Sequence, residues 1–154
     1  MLHPSYFMKL AAQFLAVLGL WLAGCASTPP EKVVTSEMRK DVKADFDLRI
    51  AQLSELEHRL AHVDTETQLV EILEFVGTSS HSAYERNKLL LERYPALRVK
   101  QNDQLPPAIR PEFERGQRLL REKTYVCISL KAEIDRFKSQ PEVQKAMLRL
   151  RPAQ

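Results

Sequence analysis

The sequence predicts an all-α protein. The expected form is an elongated helical bundle with two long helices, about residues 37–63 and 111–138, short helices between and after them, and a flexible tether in front. Three observations carry this. The chain has only four glycines against 28% charged residues, and few β-branched runs, a balance that suits helix over sheet. Apolar residues advance in three- and four-residue steps through Leu53, Leu56, Leu60 and Val63, with Val42 and Phe46 extending the stripe upstream. Phe113, Leu120, Cys127 and Ile134 recur every seven residues and mark a second long seam.

Residues 25–36 (CASTPPEKVVTS) are polar and proline-bearing, without helical periodicity, and read as the tether. Ser36 is placed to cap the first long helix, Glu37 to Val63, in which Arg49 interrupts the seam beside Ile50. Asp64 and Thr65 supply turn and cap chemistry for a second helix, Glu66 to Val76. Leu69, Val70, Ile72, Leu73, Phe75 and Val76 make it apolar almost all round, so it is predicted to be the most buried element. Gly77 predicts a left-handed stop. A third helix is expected over Ser82 to Tyr94, ended by Pro95, followed by the longest internal loop at 96–107. Glu92-Arg93-Tyr94-Pro95 resembles the end of a tetratricopeptide unit, but most signature positions are unmatched and no second copy exists.

Pro111, at a helix N1 position, opens the second long helix, which runs to about Lys138 with Leu130 and Phe137 completing its lower seam. Ser139-Gln140-Pro141 breaks it, and a short last helix carries Val143, Met147 and Leu150. The two long helices have nearly equal lengths, so they are expected to pack side by side with the apolar second helix wedged against them. The helical domain is assigned to residues 37–151.

Charge is unevenly spread. Residues 25–83 hold six Lys/Arg against eleven Asp/Glu, net −5, and residues 84–154 hold sixteen against nine, net +7. Halves of opposite sign suit packing against each other. A basic face used on a partner is the second reading, with Arg110, Arg115, Arg118 and Arg121 as the candidate anion-docking surface. Glu112, Glu114 and Glu122 stand at helical spacing to neutralise it.

The first 24 residues divide as a secretory leader does: a weakly basic start ending at Lys9, an apolar stretch from Leu10 to Leu22, then small Ala23 and Gly24. Met8-Lys9 would serve equally well as the start. The run is too short for a spanning helix, which needs about 20 apolar residues. Leu22-Ala23-Gly24-Cys25 closes it, and this motif resembles the lipobox of bacterial lipoproteins. The resemblance implies a diacylglyceryl group on the Cys25 thiol, cleavage between Gly24 and Cys25, and an N-acyl chain on the freed amine in many Gram-negative hosts. It also implies the bilayer as the first partner. Ala26 follows the cysteine, and the family's sorting rules then imply the outer membrane, facing the periplasm.

Other chemistry is thinner. His58 and His62 stand four apart, a spacing that can hold zinc, but Arg59 occupies the place where a metalloprotease motif needs Glu. The heptad frame puts both histidines outside, so they are expected to be solvated and no metal is assigned. Ser79, Ser80, His81 and Ser82 are expected to be polar loop residues beside a helix cap, not a nucleophile site. No catalytic residue and no dissociable cofactor is assigned. Cys127, in register with the seam, is expected to be a small buried hydrophobe, with an intersubunit disulfide and a homodimer as the alternative.

The expected function is that of a non-catalytic helical module, anchored through Cys25 and binding another envelope protein, with no nucleic-acid partner. The alternatives are a peptidoglycan-binding or wall-enzyme-regulating lipoprotein and, less favoured, a periplasmic enzyme.

Overall fold

A computed structural model of the chain describes residues 34–150. The leader, the Gly24–Cys25 cleavage site and most of the tether lie outside the described residues. The described chain is an all-α bundle without a strand. Helix α1 is Ser36–Ala61 and α2 is Glu66–Arg93. Helices α3 (Arg110–Glu122), α4 (Tyr125–Phe137) and α5 (Pro141–Arg149) follow after a segment with two 3-10 turns.

The first long helix is found close to where the sequence placed it. Thr35, rather than Ser36, caps it: its side chain accepts the Met38 backbone N–H at 3.0 Å. Met38, Val42, Phe46, Leu56 and Leu60 are buried, while Leu53 is half-buried and touches both of the hydrophobic clusters described below.

The expected stop at Gly77 is corrected. One 28-residue helix runs from Glu66 to Arg93, replacing two short ones. No described glycine has a positive φ, so Gly77 is not a cap. Its role is spatial: a Cβ there would lie 2.7 Å from Cδ2 of Leu150. The polar stretch after it stays helical, with the Thr78 hydroxyl donating to the Glu74 carbonyl at 2.9 Å. The apolar phase is also unbroken, since Val76 and Ala83, seven residues apart, are both buried. At the start of α2, Thr65 and Gln68 form a reciprocal capping box.

The second long helical span is present but divided. Lys123 donates to both the Leu119 and Leu120 carbonyls, and Thr124 donates its N–H and its hydroxyl to the Arg121 carbonyl, at 3.0 and 2.6 Å. Three-residue hydrogen bonds continue at Val126 and Cys127. Such a tight turn winds the chain faster than an α-helix and rotates the buried face forward. Val126 therefore takes the buried seam place expected for Cys127, which is only half-buried. Phe113, Leu120, Leu130 and Ile134 are buried as predicted.

Helix α1 is the spine, packing against α2, α3 and α4, while α5 packs on α2. Two hydrophobic clusters form along it. The first joins Val42 and Phe46 to Leu90, Tyr94 and Phe113. It also takes Leu97, Val99 and Leu105 from the segment expected to be a plain loop, and Ile109 just after it; these side chains are buried while most of the residues between them are exposed. The second cluster joins Leu56 and Leu60 to Leu69, Leu73, Val126, Leu130, Ile134 and Val143.

A polar clasp ties the start of α1 to the end of α2. Arg93 pairs with Glu37 and with Asp41, and the Tyr94 hydroxyl donates to Asp41 Oδ2 at 2.7 Å. Burial of the ring, and then the hydrogen bond to Asp41, push the Tyr94 phenol up to about 12 from its ordinary 10.0. An unfolded chain releases this proton near 10 while the folded chain holds it, so stability falls as pH rises from 10 towards 12. Ultraviolet titration is expected to show one tyrosine ionising near 12, and Asp41→Asn to bring it down. Titration of every tyrosine near 10 would contradict the clasp.

Candidate functional site

The chain meets the helical domain at the α1 N-terminus, where half-buried Val34 packs against the first cluster. Cys25 lies nine residues upstream of Val34 and outside the described residues. No helix among the described residues is long and apolar enough to cross a membrane.

The four candidate arginines do not form one free anion surface. Arg110 is turned inward on the chain, its Nη2 donating to the carbonyls of Asp103 and Leu105 at 2.6 and 3.2 Å. Arg115 pairs with Glu112 at 3.0 Å and Asp47 at 3.4 Å. Arg118 stands 3.9 Å from Glu122, a loose pair one turn away. Arg121 is exposed and has no ion pair among the described residues. Arg118 and Arg121 thus remain on an outer face, while Arg110 and Arg115 are engaged by groups of the chain itself. The charge asymmetry of the two halves is partly spent internally, on pairs such as Lys123 with Glu57 at 2.7 Å and Arg149 with Glu74 at 3.4 Å.

His58 and His62 are exposed, as the heptad frame placed them, with ring centres 4.6 Å apart. The His62 Nδ1 lies 2.7 Å from the His58 carbonyl, which engages that nitrogen as a donor and directs its lone pair to Nε2. Among the described residues no three His, Cys, Asp or Glu side chains gather as a metal site. The Cys127 thiol is half-buried, and burial pushes its pKa up, which lowers the thiolate fraction available for exchange.

Sequence reasoning missed a buried charge cluster. Asp45 lies on α1 one turn before Arg49, and the pair closes at 2.7 Å with both side chains shielded from water. Arg86 of α2 reaches the same carboxylate at 3.3 Å, and also donates to Ser82 at 2.5 Å and Gln52 at 3.2 Å. One carboxylate therefore serves two guanidiniums. Desolvation lowers the Arg49 pKa, opposed by Asp45 and reinforced by repulsion from Arg86. The available signal was the i, i+4 spacing of Asp45 and Arg49 on an otherwise apolar stripe, with Arg49 itself standing in the seam.

Beside this cluster, at the junction of the two hydrophobic clusters, is a cavity of about 70 Å³. Leu53, Leu56, Phe75, Val76, Ala83 and Leu120 supply its apolar wall, and Arg49, Gln52, Ser79 and Ser80 its polar margin. The small side chains following Gly77 leave this space between α1 and α2. No histidine or carboxylate lines it, so neither serine hydroxyl meets a base there, and His81 is exposed. Comparison with family models, curated proteins and solved structures finds no match to this chain.

Proposed function

We propose that this chain is a membrane-anchored envelope lipoprotein whose helical domain acts as a non-catalytic interaction module. The observation that carries the reading is the sequence Leu22-Ala23-Gly24-Cys25 at the end of a short apolar run. Acylation contributes roughly 0.8 kcal/mol per buried CH₂, so two or three chains on Cys25 would hold the protein on a bilayer where one would not. The separation of anchor and domain supports the reading. Val34, the first described residue, is nine residues beyond Cys25, so the two lie at most about 30 Å apart. The domain then works beside the membrane, with its helical faces available to another envelope protein.

The test is intact mass and N-terminal peptide analysis of the protein recovered from the membrane fraction of a Gram-negative host. A diacylglyceryl thioether on Cys25, with no residue before it, is the expected result. Cys25→Ser is expected to leave the leader uncleaved and to abolish labelling by palmitate. An unmodified Cys25 with the leader still attached would overturn the proposal. In-cell crosslinking of the lipidated protein is expected to recover one dominant envelope protein as partner.

A further inference from the structure

The last turn of α1 brings two imidazoles side by side. His58 lies in that turn, and His62 is its C-cap, where the backbone at φ −122° and ψ 15° has already left the helix. Both residues are exposed, and their ring centres stand 4.6 Å apart with the planes tilted by 36°. Arg59, next to His58 in the chain, is drawn aside: it pairs with Glu55 at 2.7 Å and lies over the Phe75 ring at 4.4 Å. Ser54 and Ala61, one turn before and after His58, are small.

One of the two rings is already oriented. His62 Nδ1 lies 2.7 Å from the His58 carbonyl. A carbonyl only accepts, so Nδ1 carries the proton and the lone pair is on Nε2. Metal-ligating histidines are held in this manner, one ring nitrogen donating to a carbonyl or carboxylate while the other faces the ion. Two nitrogens bound to one ion at about 2.0–2.1 Å stand about 3 Å apart, a separation within reach of rings whose centres are 4.6 Å apart. The pair also sits at the C-terminal end of a 26-residue helix, where the last carbonyls favour a cation. Spacing alone assigns no metal here; the bond that orients His62 and the approach of the two rings are what the fold adds.

We infer that His58 and His62 form a two-point site for a divalent transition-metal ion of the class that prefers imidazole, namely Cu²⁺, Ni²⁺ or Zn²⁺, at the C-terminal end of α1. His62 binds through Nε2 and His58 through the ring nitrogen nearest to it. Water fills the remaining positions, so the ion exchanges with solution. This separates the site from a structural zinc centre, which takes four protein ligands. Affinity rises from Ni²⁺ to Cu²⁺, as it does for nitrogen ligands in general. The inference does not depend on acylation of Cys25.

The experiment is titration of the full chain, untagged and in mild detergent, with Ni²⁺, followed by calorimetry and by proton–nitrogen NMR. Ni²⁺ is paramagnetic and does not oxidise the thiols of Cys25 and Cys127. Line broadening is expected first at the amides around His58 and His62, saturable, and unchanged by excess Mg²⁺, which prefers oxygen ligands. The local readout distinguishes this site from His3, His81 and the two thiols. His58→Ala and His62→Ala are each expected to raise the dissociation constant at the site at least about tenfold. Helical circular dichroism should stay unchanged in both, because the side chains removed are exposed. Ni²⁺ that broadens other amides but none around residues 58–62 overturns the inference. A loss of affinity from only one of the two substitutions overturns the two-point site, since a single histidine then binds alone.

Discussion

Asp45→Asn is expected to destabilise the protein by about 3–5 kcal/mol, the range for removing one member of a buried ion pair. The amide keeps the shape of the carboxylate but not its charge. Arg49, only 6% exposed, would then remain buried with Arg86 near it and without the Asp45 charge between them. The companion variant gives the contrast. Arg49→Met leaves Asp45 with Arg86, a one-to-one pair, and fills the seam with an apolar side chain. It is expected to be neutral or stabilising. Urea denaturation of the two variants checks the ordering. Added salt should not rescue Asp45→Asn, because the interaction lost is shielded from solvent. A loss for Arg49→Met as large as for Asp45→Asn would contradict the charge argument.

Gly116→Ala is the second large effect. A helix interior ordinarily favours Ala over Gly by about 1 kcal/mol. Here the sign reverses, because a Cβ at Gly116 would lie 2.6 Å from Cδ2 of Phe46 and closer still to two other ring carbons. The ring has little freedom to retreat, since Phe113 meets it edge-on at 5.2 Å and 88°. Overpacking of this kind costs about 1–3 kcal/mol, read as a lower midpoint in thermal or urea unfolding. Phe46→Leu alone opens space and destabilises by itself. Combined with Gly116→Ala, it is expected to lose less than the two single variants together. Strict additivity would mean that the two positions do not meet.

The sequence made the helices legible through their apolar spacing, and the first of them nearly to its ends. What it hid were places where one residue type has two physical uses. Gly77 read as a stop because glycine often caps a helix, yet its missing side chain serves Leu150. Thr124 gave no sign that its hydroxyl would take the Arg121 carbonyl and tighten the chain. Leu97, Leu105 and Ile109 are too irregularly spaced to predict an element, but their burial needs no regular backbone. At the candidate site the position is reversed. The expected lipobox, Leu22-Ala23-Gly24-Cys25, lies outside the described residues and rests on its letters alone. The pairing of Asp45 with Arg86 spans 41 residues, and nothing in the local pattern announces it.

Leu150, seated at Gly77, gives the molecule an order of assembly. As the chain emerges N-terminus first, α1 and α2 are available early, but the notch in the middle of α2 stays open. Val143 and Ala146 of α5 belong to the second cluster, and Leu150 packs against it. That cluster is therefore completed only by the last described stretch of the chain. Until it arrives, the apolar side of α2 around Leu73 and Val76 lacks part of its cover and is open to the wrong partner. A chain ending before residue 141 would leave that apolar side of α2 without Val143, Ala146 and Leu150 against it.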